Sequence, residues 1–167
     1  HIMKKHIIKI FEDVRDIPYR LRFSADDNDF SCDGKHRRLA ELLIPLGYEV
    51  RPRTCLYKWE SMPIPQSILK LDPAEFYLHR FLEILIGDRW VRIDVTWDRA
   101  LGRIFPVNEW DGKSDTAIGV PYVGNIFSPE DSEFPEFDKE KVDANLKKRK
   151  IFHEAFNSWL DEIRKQK

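Results

Sequence analysis

The chain has 167 residues with 28 basic and 29 acidic side chains, so its formal net charge of −1 gives no overall field for binding nucleic acid or an anionic membrane. A composition of 42% hydrophobic and 34% charged residues predicts a packed core and excludes a globally disordered chain. Two cysteines exclude a disulfide scaffold, and no apolar run approaches the length of a bilayer span.

These bounds predict a single domain over residues 3–167, because one core of ordinary size is the default at this length. His1 and Ile2 precede Met3 and are interpreted as a cloning remnant. The following residues lack the basic, apolar and small-residue order of a secretory signal. We therefore expect a cytoplasmic protein with free thiols.

The N-terminal part predicts two helices joined by a polar loop. Apolar residues at helical spacing fill residues 3–15, and Pro18 ends this run. Residues 24–29 are turn-forming polar residues that lead to Cys32. A leucine-rich stripe follows as far as Gly47, a residue type common just after a helix C-terminus. Cys32 is therefore predicted to lie at the N-terminus of the second helix.

The middle of the chain predicts β-structure. Residues 48–56 form a predicted strand, and Pro52 favours a position near a sheet edge. Residues 59–73 contain three prolines and predict a connecting loop with one short helical turn. Two β-rich runs, residues 77–86 and 89–96, are separated by Gly87 and Asp88, which predicts a two-residue hairpin turn.

The C-terminal part predicts irregular structure followed by a helix. Residues 97–135 are rich in glycine, proline, asparagine and aspartate and show no sustained period. Residues 138–165 are amphipathic, which predicts a C-terminal helix with the basic residues 147–150 on its exposed side. A solvated helix face explains this basic run better than nucleic-acid binding does.

Three residues form a candidate catalytic set. A cysteine at a helix N-terminus meets the positive end of the helix dipole, which favours the thiolate of Cys32. In the predicted hairpin, Ile86 pairs with Arg89, so His79 and Asp94 become diagonal neighbours on one sheet face.

A carboxylate on this face can orient the imidazole. The opposite face, which begins at Leu78 and carries the more apolar side chains, is the predicted core side. Cys55 lies within a strand and is interpreted as a small buried hydrophobe.

These residues resemble the transglutaminase-like, papain-related cysteine enzymes. The resemblance spans residues 7–96 and departs at Phe81 and Val95, where the family often has tryptophan and proline. The segments that carry it are Ser31-Cys32-Asp33-Gly34-Lys35, Leu46-Gly47-Tyr48-Glu49-Val50-Arg51, His79-Arg80-Phe81-Leu82-Glu83 and Trp90-Val91-Arg92-Ile93-Asp94-Val95-Thr96.

The resemblance implies an α+β fold with a papain-like core, in which helices that include the nucleophile at a helix N-terminus pack on an antiparallel sheet. It implies that Cys32 attacks an amide or peptide carbonyl, that His79 transfers the proton and that Asp94 fixes the imidazole. The acyl-enzyme would pass to water, as in a protease or amidase, or to an amine. Tyr19 and Asn28 are candidates by position for a side-chain oxyanion donor. The expected partner is a peptide or protein amide, without nucleic acid, membrane, cofactor or metal.

Several alternatives stay open. Metal binding by Cys32, His36, Cys55 and His79 lacks the paired spacing of a zinc site, and the acidic residues 26–29 are typical of a solvated turn rather than a calcium loop. Arylamine acetyl transfer and glycan-amide hydrolysis use the same order of catalytic residues. A non-catalytic binding module that retains the fold is the alternative from a different functional class.

Overall fold

A computed structural model of the chain describes residues 2–166 and contains four helices and a four-stranded sheet. This content confirms the predicted α+β class. The elements in chain order are α1 (Ile2–Arg15), α2 (Cys32–Leu43), β1 (Val50–Tyr57), α3 (Gln66–Leu69), β2 (Tyr77–Ile86), β3 (Arg89–Ile93), β4 (Tyr122–Phe127) and α4 (Lys139–Lys165).

The sheet is antiparallel in every pair, with the strand order β3-β2-β1-β4. The predicted hairpin register is confirmed, since Ile86 pairs with Arg89 and Leu82 pairs with Ile93. Strand β3 ends at Ile93 rather than at residue 96 as predicted. It ends there because the next two backbone N–H groups bond to side chains, Asp94 to Thr116 and Val95 to His36.

Strand β1 lies inside the sheet, so its predicted edge position is wrong. The proline that motivated that prediction is nevertheless in a tolerated place. Pro52 pairs with Leu82 on one side, while pairing with β4 on the other side begins only at Thr54. The missing N–H of Pro52 therefore falls before the part of β1 that is bordered on both sides.

The sheet is covered on both faces. Helices α1 and α2 pack on one face through Phe11 and Leu39 against Leu82 and Ile84. On the other face, a cluster that includes Phe81 packs against apolar side chains of α4.

The face that carries His79 is therefore a second core side, which the sequence did not predict. Leu78, predicted to begin the core face, is 54% exposed, because β2 extends there beyond the end of β3.

The C-terminal third contains one strand that the sequence did not predict. Strand β4 lies within the segment expected to be irregular, and most of its residues are exposed, so it shows no alternating burial pattern. Helix α4 confirms the predicted C-terminal helix, and the carboxylate of Asp138 caps it by accepting the N–H of Lys141. Arg149 does not share the exposure expected for its basic run, because its guanidinium lies 4.1 Å from the ring centre of Tyr77.

Within residues 2–166, no helix combines the length and apolarity needed to cross a bilayer.

Candidate active site

Cys32 is the first residue of α2, as predicted, and a tight turn delivers it there. The extended backbone of Ser31 precedes the helix, and the Asp29 carboxylate accepts the Ser31 backbone N–H at 3.0 Å. The turn folds back so closely that a Cβ on Gly34 would lie 1.6 Å from the carbonyl oxygen of Asp29. A glycine is therefore required two residues after the cysteine.

The Cys32 thiol is buried at the edge of β2. It is 8% exposed, and the backbone N–H of Arg80, the residue after His79, acts to lower its pKa. This edge is open to α2 because β3 ends at the pair of Leu82 with Ile93. The helix start and the histidine strand therefore meet at the thiol.

Burial acts against the thiolate of Cys32. It raises the pKa of Cys32 well above its ordinary value, and the negative charge of Asp33 acts in the same direction. The Arg80 N–H opposes this shift but is outweighed. Desolvation of the charged sulfur therefore opposes the favourable effect expected from the helix N-terminus.

His79 and Asp94 form a buried hydrogen-bonded pair. The Nε2 atom of His79 lies 2.7 Å from Oδ2 of Asp94, and each side chain is 1% exposed. The register argument therefore placed the two groups correctly. Burial opposes ionisation of the carboxyl, but the charge and hydrogen bond of His79 outweigh it, so the pKa of Asp94 lies below its usual range.

Further donors fix the Asp94 carboxylate. Thr96 donates its backbone N–H at 2.9 Å and its hydroxyl at 2.6 Å to Oδ1, and Gly119 donates its N–H at 2.8 Å to Oδ2. Gly119 belongs to the segment predicted to be irregular, and a Cβ there would lie 3.2 Å from Oδ1 of Asp94. The C-terminal third of the chain thus contributes to a site that the sequence confined to residues 32–94.

A second buried histidine connects Cys32 to the segment that follows β3. Nε2 of His36 accepts the N–H of Val95 at 3.0 Å, so Nδ1 carries the proton and donates to the Cys32 carbonyl at 2.8 Å. Burial lowers the pKa of His36 to about 4, against the opposing charge of Asp94. From the sequence, His36 was named only as a candidate metal ligand. Its position four residues after Cys32 nevertheless places the two side chains on one helix face.

Two buried tyrosines are affected by the charge of the thiol. Burial, and then the charge of Cys32, raise the pKa of Tyr19 well above its ordinary value. Burial, and then the charges of Tyr19 and Cys32, raise the pKa of Tyr57 in the same direction, and the Tyr57 ring meets that of His79 edge-on at 6.1 Å. Both phenols therefore keep their protons and can donate. Of the two predicted oxyanion candidates, Tyr19 is the one whose pKa responds to the charge of Cys32. Asn28 lines a separate cleft beside Phe30.

Cys55 also lies in this region. It pairs directly with His79 across β1 and β2, so both side chains share a sheet face. Its side chain is fully buried, and burial, followed by the charge of Asp94, raises the pKa of Cys55 to about 12. The interpretation of Cys55 as an inert buried residue fits these surroundings.

Within residues 2–166, no group of three or more histidine, cysteine, aspartate or glutamate side chains is placed to hold a metal ion. The acidic loop before Cys32 is occupied by local hydrogen bonds. Asp27 accepts the N–H groups of Phe23 and Ser24, and Asp29 accepts that of Ser31. These carboxylates stabilise the turn that leads to the helix.

Comparisons with protein-family models, with curated proteins and with solved structures found no match to this chain. The geometry of its residues is consequently the basis for assigning a function.

Proposed function

We propose that the protein is a transglutaminase-like cysteine enzyme with a papain-like core that acts on an amide or peptide bond through an acyl-enzyme. The observation that carries the proposal is the buried contact of 2.7 Å between His79 Nε2 and Asp94 Oδ2, next along β2 to Arg80, whose backbone N–H acts on the pKa of the Cys32 thiol. In this proposal α2 supplies the nucleophile, β2 supplies the base, and the residue after β3 orients the base.

The hydrogen-bonding pattern assigns the proton positions. Asp94 accepts the Nε2–H of His79, which leaves Nδ1 as the basic nitrogen that can take the thiol proton. The Cys32 sulfur then attacks the substrate carbonyl carbon, and the C=O electron pair moves to oxygen. When this intermediate collapses, the C–N bond breaks and His79 returns the proton to the leaving amine, which leaves a thioester on Cys32. Water or an amine resolves that thioester.

The electrostatics explain why the histidine is needed. Burial disfavours an isolated thiolate at Cys32, so the proton has to leave as the sulfur attacks. The imidazolium that forms at His79 lies against the ionised Asp94 carboxylate, which is itself held by Thr96 and Gly119. The charge created in the step is therefore compensated within the buried site.

Donors for the developing oxyanion are available on two sides of the thiol. The first turn of α2 supplies backbone N–H groups, and Tyr19 and Tyr57 supply protonated phenols. We assign the side-chain contribution to the phenols rather than to Asn28, because Asn28 lines a different cleft.

A non-catalytic binding module on the same fold is the second candidate. The observation that favours it is the buried thiol, which is 8% exposed and whose pKa is raised by burial. Such a thiol would be unreactive unless His79 removes its proton. The two candidates therefore differ in one measurable property, the acylation of Cys32.

Acylation by p-nitrophenyl acetate tests the proposal. We expect a burst of p-nitrophenol from the wild-type protein and one acetyl group on Cys32 by peptide mass spectrometry. Cys32→Ser should abolish the burst, and Cys55→Ser, which removes the other buried thiol, should retain it. A folded protein that releases p-nitrophenol no faster than Cys32→Ser would support the binding module instead.

A further inference from the structure

A cleft of about 290 Å³ lies between the start of α2 and the inward face of α4. Ser31 and Asp33, the two neighbours of Cys32, line one side, and Arg149 and His153 of α4 line the other. This volume is just below the range for small-molecule sites, which begins at about 300 Å³. The cleft therefore lies beside the nucleophile and has a size suited to one terminal residue of a peptide.

Arg149 keeps an unused hydrogen-bonding edge beside this cleft. Its Nε and Nη2 atoms are shielded from solvent and have no hydrogen-bond partner within residues 2–166. These two nitrogens form the side of the guanidinium that donates two parallel N–H bonds to a carboxylate. The plane is held over the ring of Tyr77, with its centre 4.1 Å from the ring centre. A carboxylate is the group that this edge fits best.

His153 offers a hydrogen-bond acceptor one helical turn further along. It is 2% exposed, and its Nδ1 donates to the carbonyl oxygen of Arg22 at 2.8 Å. Burial lowers the pKa of His153 to about 4, so the ring is neutral and Nε2 carries a lone pair. That Nε2 atom is buried and has no partner among the described residues. It is therefore suited to a ligand N–H.

The charges around the cleft leave Arg149 available. The Asp33 carboxylate is 2.8 Å from Nε of Arg80, and the Asp29 carboxylate is 3.9 Å from the Arg22 guanidinium. Both acidic side chains of the cleft are thus compensated by other arginines. Residues four apart on a helix have Cβ atoms about 5–6 Å apart, so Arg149 and His153 can contact adjacent groups of one ligand.

We propose that this cleft binds the free C-terminal residue of a peptide, with its carboxylate on the Nε–Nη2 edge of Arg149 and its amide N–H donated to Nε2 of His153. In such a residue one carbon joins the carboxylate to the amide nitrogen. This arrangement matches the paired donors of Arg149 beside the neutral acceptor of His153. The inference rests on the proposed function only in that the bound peptide is a substrate; the binding itself is measured separately.

The test compares matched peptides in nuclear magnetic resonance titrations of the protein. Acetyl-Gly-Gly-Gly with a free carboxylate should shift the Arg149 Nε–Hε signal saturably, and its C-terminal amide should bind at least about tenfold more weakly. Replacing the last glycine by N-methylglycine, which exchanges the final N–H for N–CH₃, should also weaken binding severalfold. Arg149→Gln should abolish the preference for the acid and Arg149→Lys should retain part of it.

Lys150→Gln is the matched control, because it removes an exposed charge from the next residue of α4 and should leave the preference unchanged. Equal binding of acid and amide, a preference that survives Arg149→Gln, or no saturation by either peptide would overturn the proposal. Saturable binding without acylation of Cys32 would support the subsite while the proposed enzyme function fails. Acylation of Cys32 without a preference for the free acid would support the proposed enzyme function and overturn the subsite.

Discussion

At the scale of single residues, the site depends on the fixed orientation of the Asp94 carboxylate. His79, Thr96 and Gly119 all donate to it, and each donor comes from a different part of the fold. A carboxylate with this many donors is held in one position and stays ionised. Its effect on catalysis should therefore be separable from its effect on folding.

Asp94→Asn tests this orientation. The amide cannot carry the charge that stabilises a protonated His79, and its NH₂ group faces donors from Thr96 and Gly119. We expect acylation of Cys32 to fall roughly a hundredfold or more, since general-base assistance contributes about that factor. The readout is the p-nitrophenyl acetate burst, with folding checked by circular dichroism. Asp88→Asn in the exposed hairpin turn is the control, and an equal loss there would reject the assignment.

His36 is predicted to stabilise the site rather than to react. Its ring satisfies the N–H of Val95 and the carbonyl of Cys32 in a fully buried position. His36→Ala leaves both groups unpaired and opens a cavity, so we expect a loss of about 2–4 kcal/mol in the free energy of unfolding. Urea denaturation measures this, and the exposed His6→Ala should cost far less. Similar costs for the two variants would contradict the structural role of His36.

At the scale of elements, α4 holds the segment that leads to Cys32. Asn157 accepts the Leu21 N–H at 2.9 Å and donates to the Leu21 carbonyl at 2.7 Å. Two turns further, Arg164 donates to the Asp98 carboxylate and to the Tyr19 carbonyl, both at 2.9 Å. The C-terminal helix therefore supplies hydrogen-bond partners on both sides of Arg20, which itself forms a β-bridge with Phe30.

Asn157→Asp should loosen this attachment. The substitution preserves shape but places a carboxylate oxygen against the Leu21 carbonyl oxygen in a side chain that is 3% exposed. We expect a loss of about 2–3 kcal/mol in the free energy of unfolding, because a buried acceptor is left facing an acceptor. Faster amide hydrogen exchange at Leu21 would locate the effect. Unchanged exchange and stability would show that α4 docks without this contact.

The elements also show what local sequence can predict. The Gly87-Asp88 hairpin was predicted with the correct register because turn type and strand pattern are local properties, and this register placed His79 beside Asp94. Strand β4 was missed because its pairing with β1 joins distant parts of the chain and leaves its side chains mostly exposed. Pro52 misled for a related reason, since only the long-range pairing shows where β1 has two neighbours.

The site residues divide in the same way. The sequence could indicate Cys32, His79 and Asp94 because a helix start and a hairpin are local patterns. Gly119 comes from residues 97–135, where the sequence shows no sustained period. Arg149 and His153 come from α4, whose period predicts a helix but does not show that its buried face borders the start of α2. The raised pKa of the thiol was missed because helix position is visible in the sequence, whereas burial by α4 and the sheet is not.

At the scale of the whole molecule, the side chains of Cys32, His79 and Asp94 are all buried in the packed protein. Neutral histidines are part of that interior. Burial lowers the pKa of His36 and of His153 to about 4, whereas an unfolded chain titrates histidine near 6.5. Between these pH values the unfolded chain binds more protons than the folded protein.

The contribution of these two histidines to stability is therefore predicted to be complete above about pH 6.5 and to be lost as the pH decreases toward about 4, by on the order of 3 kcal/mol per histidine. Urea midpoints measured at pH 7 and pH 4.5 test this. His153→Gln should reduce the difference between the two midpoints by about half, and the exposed His6→Gln should not change it. A stability that is flat over this range would mean that both rings are protonated in the folded protein.

The most direct test of the whole account is the rate of iodoacetamide alkylation of Cys32 against pH, in a Cys55→Ser background, with and without His79→Ala. We predict alkylation already below the reference cysteine pKa of about 8.5 in the parent protein, because the thiol proton can pass to His79, and loss of that neutral-pH reactivity in the variant. A rate that rises only above the reference value and does not depend on His79 would contradict the catalytic assignment. It would leave a binding module built on an enzyme-like site.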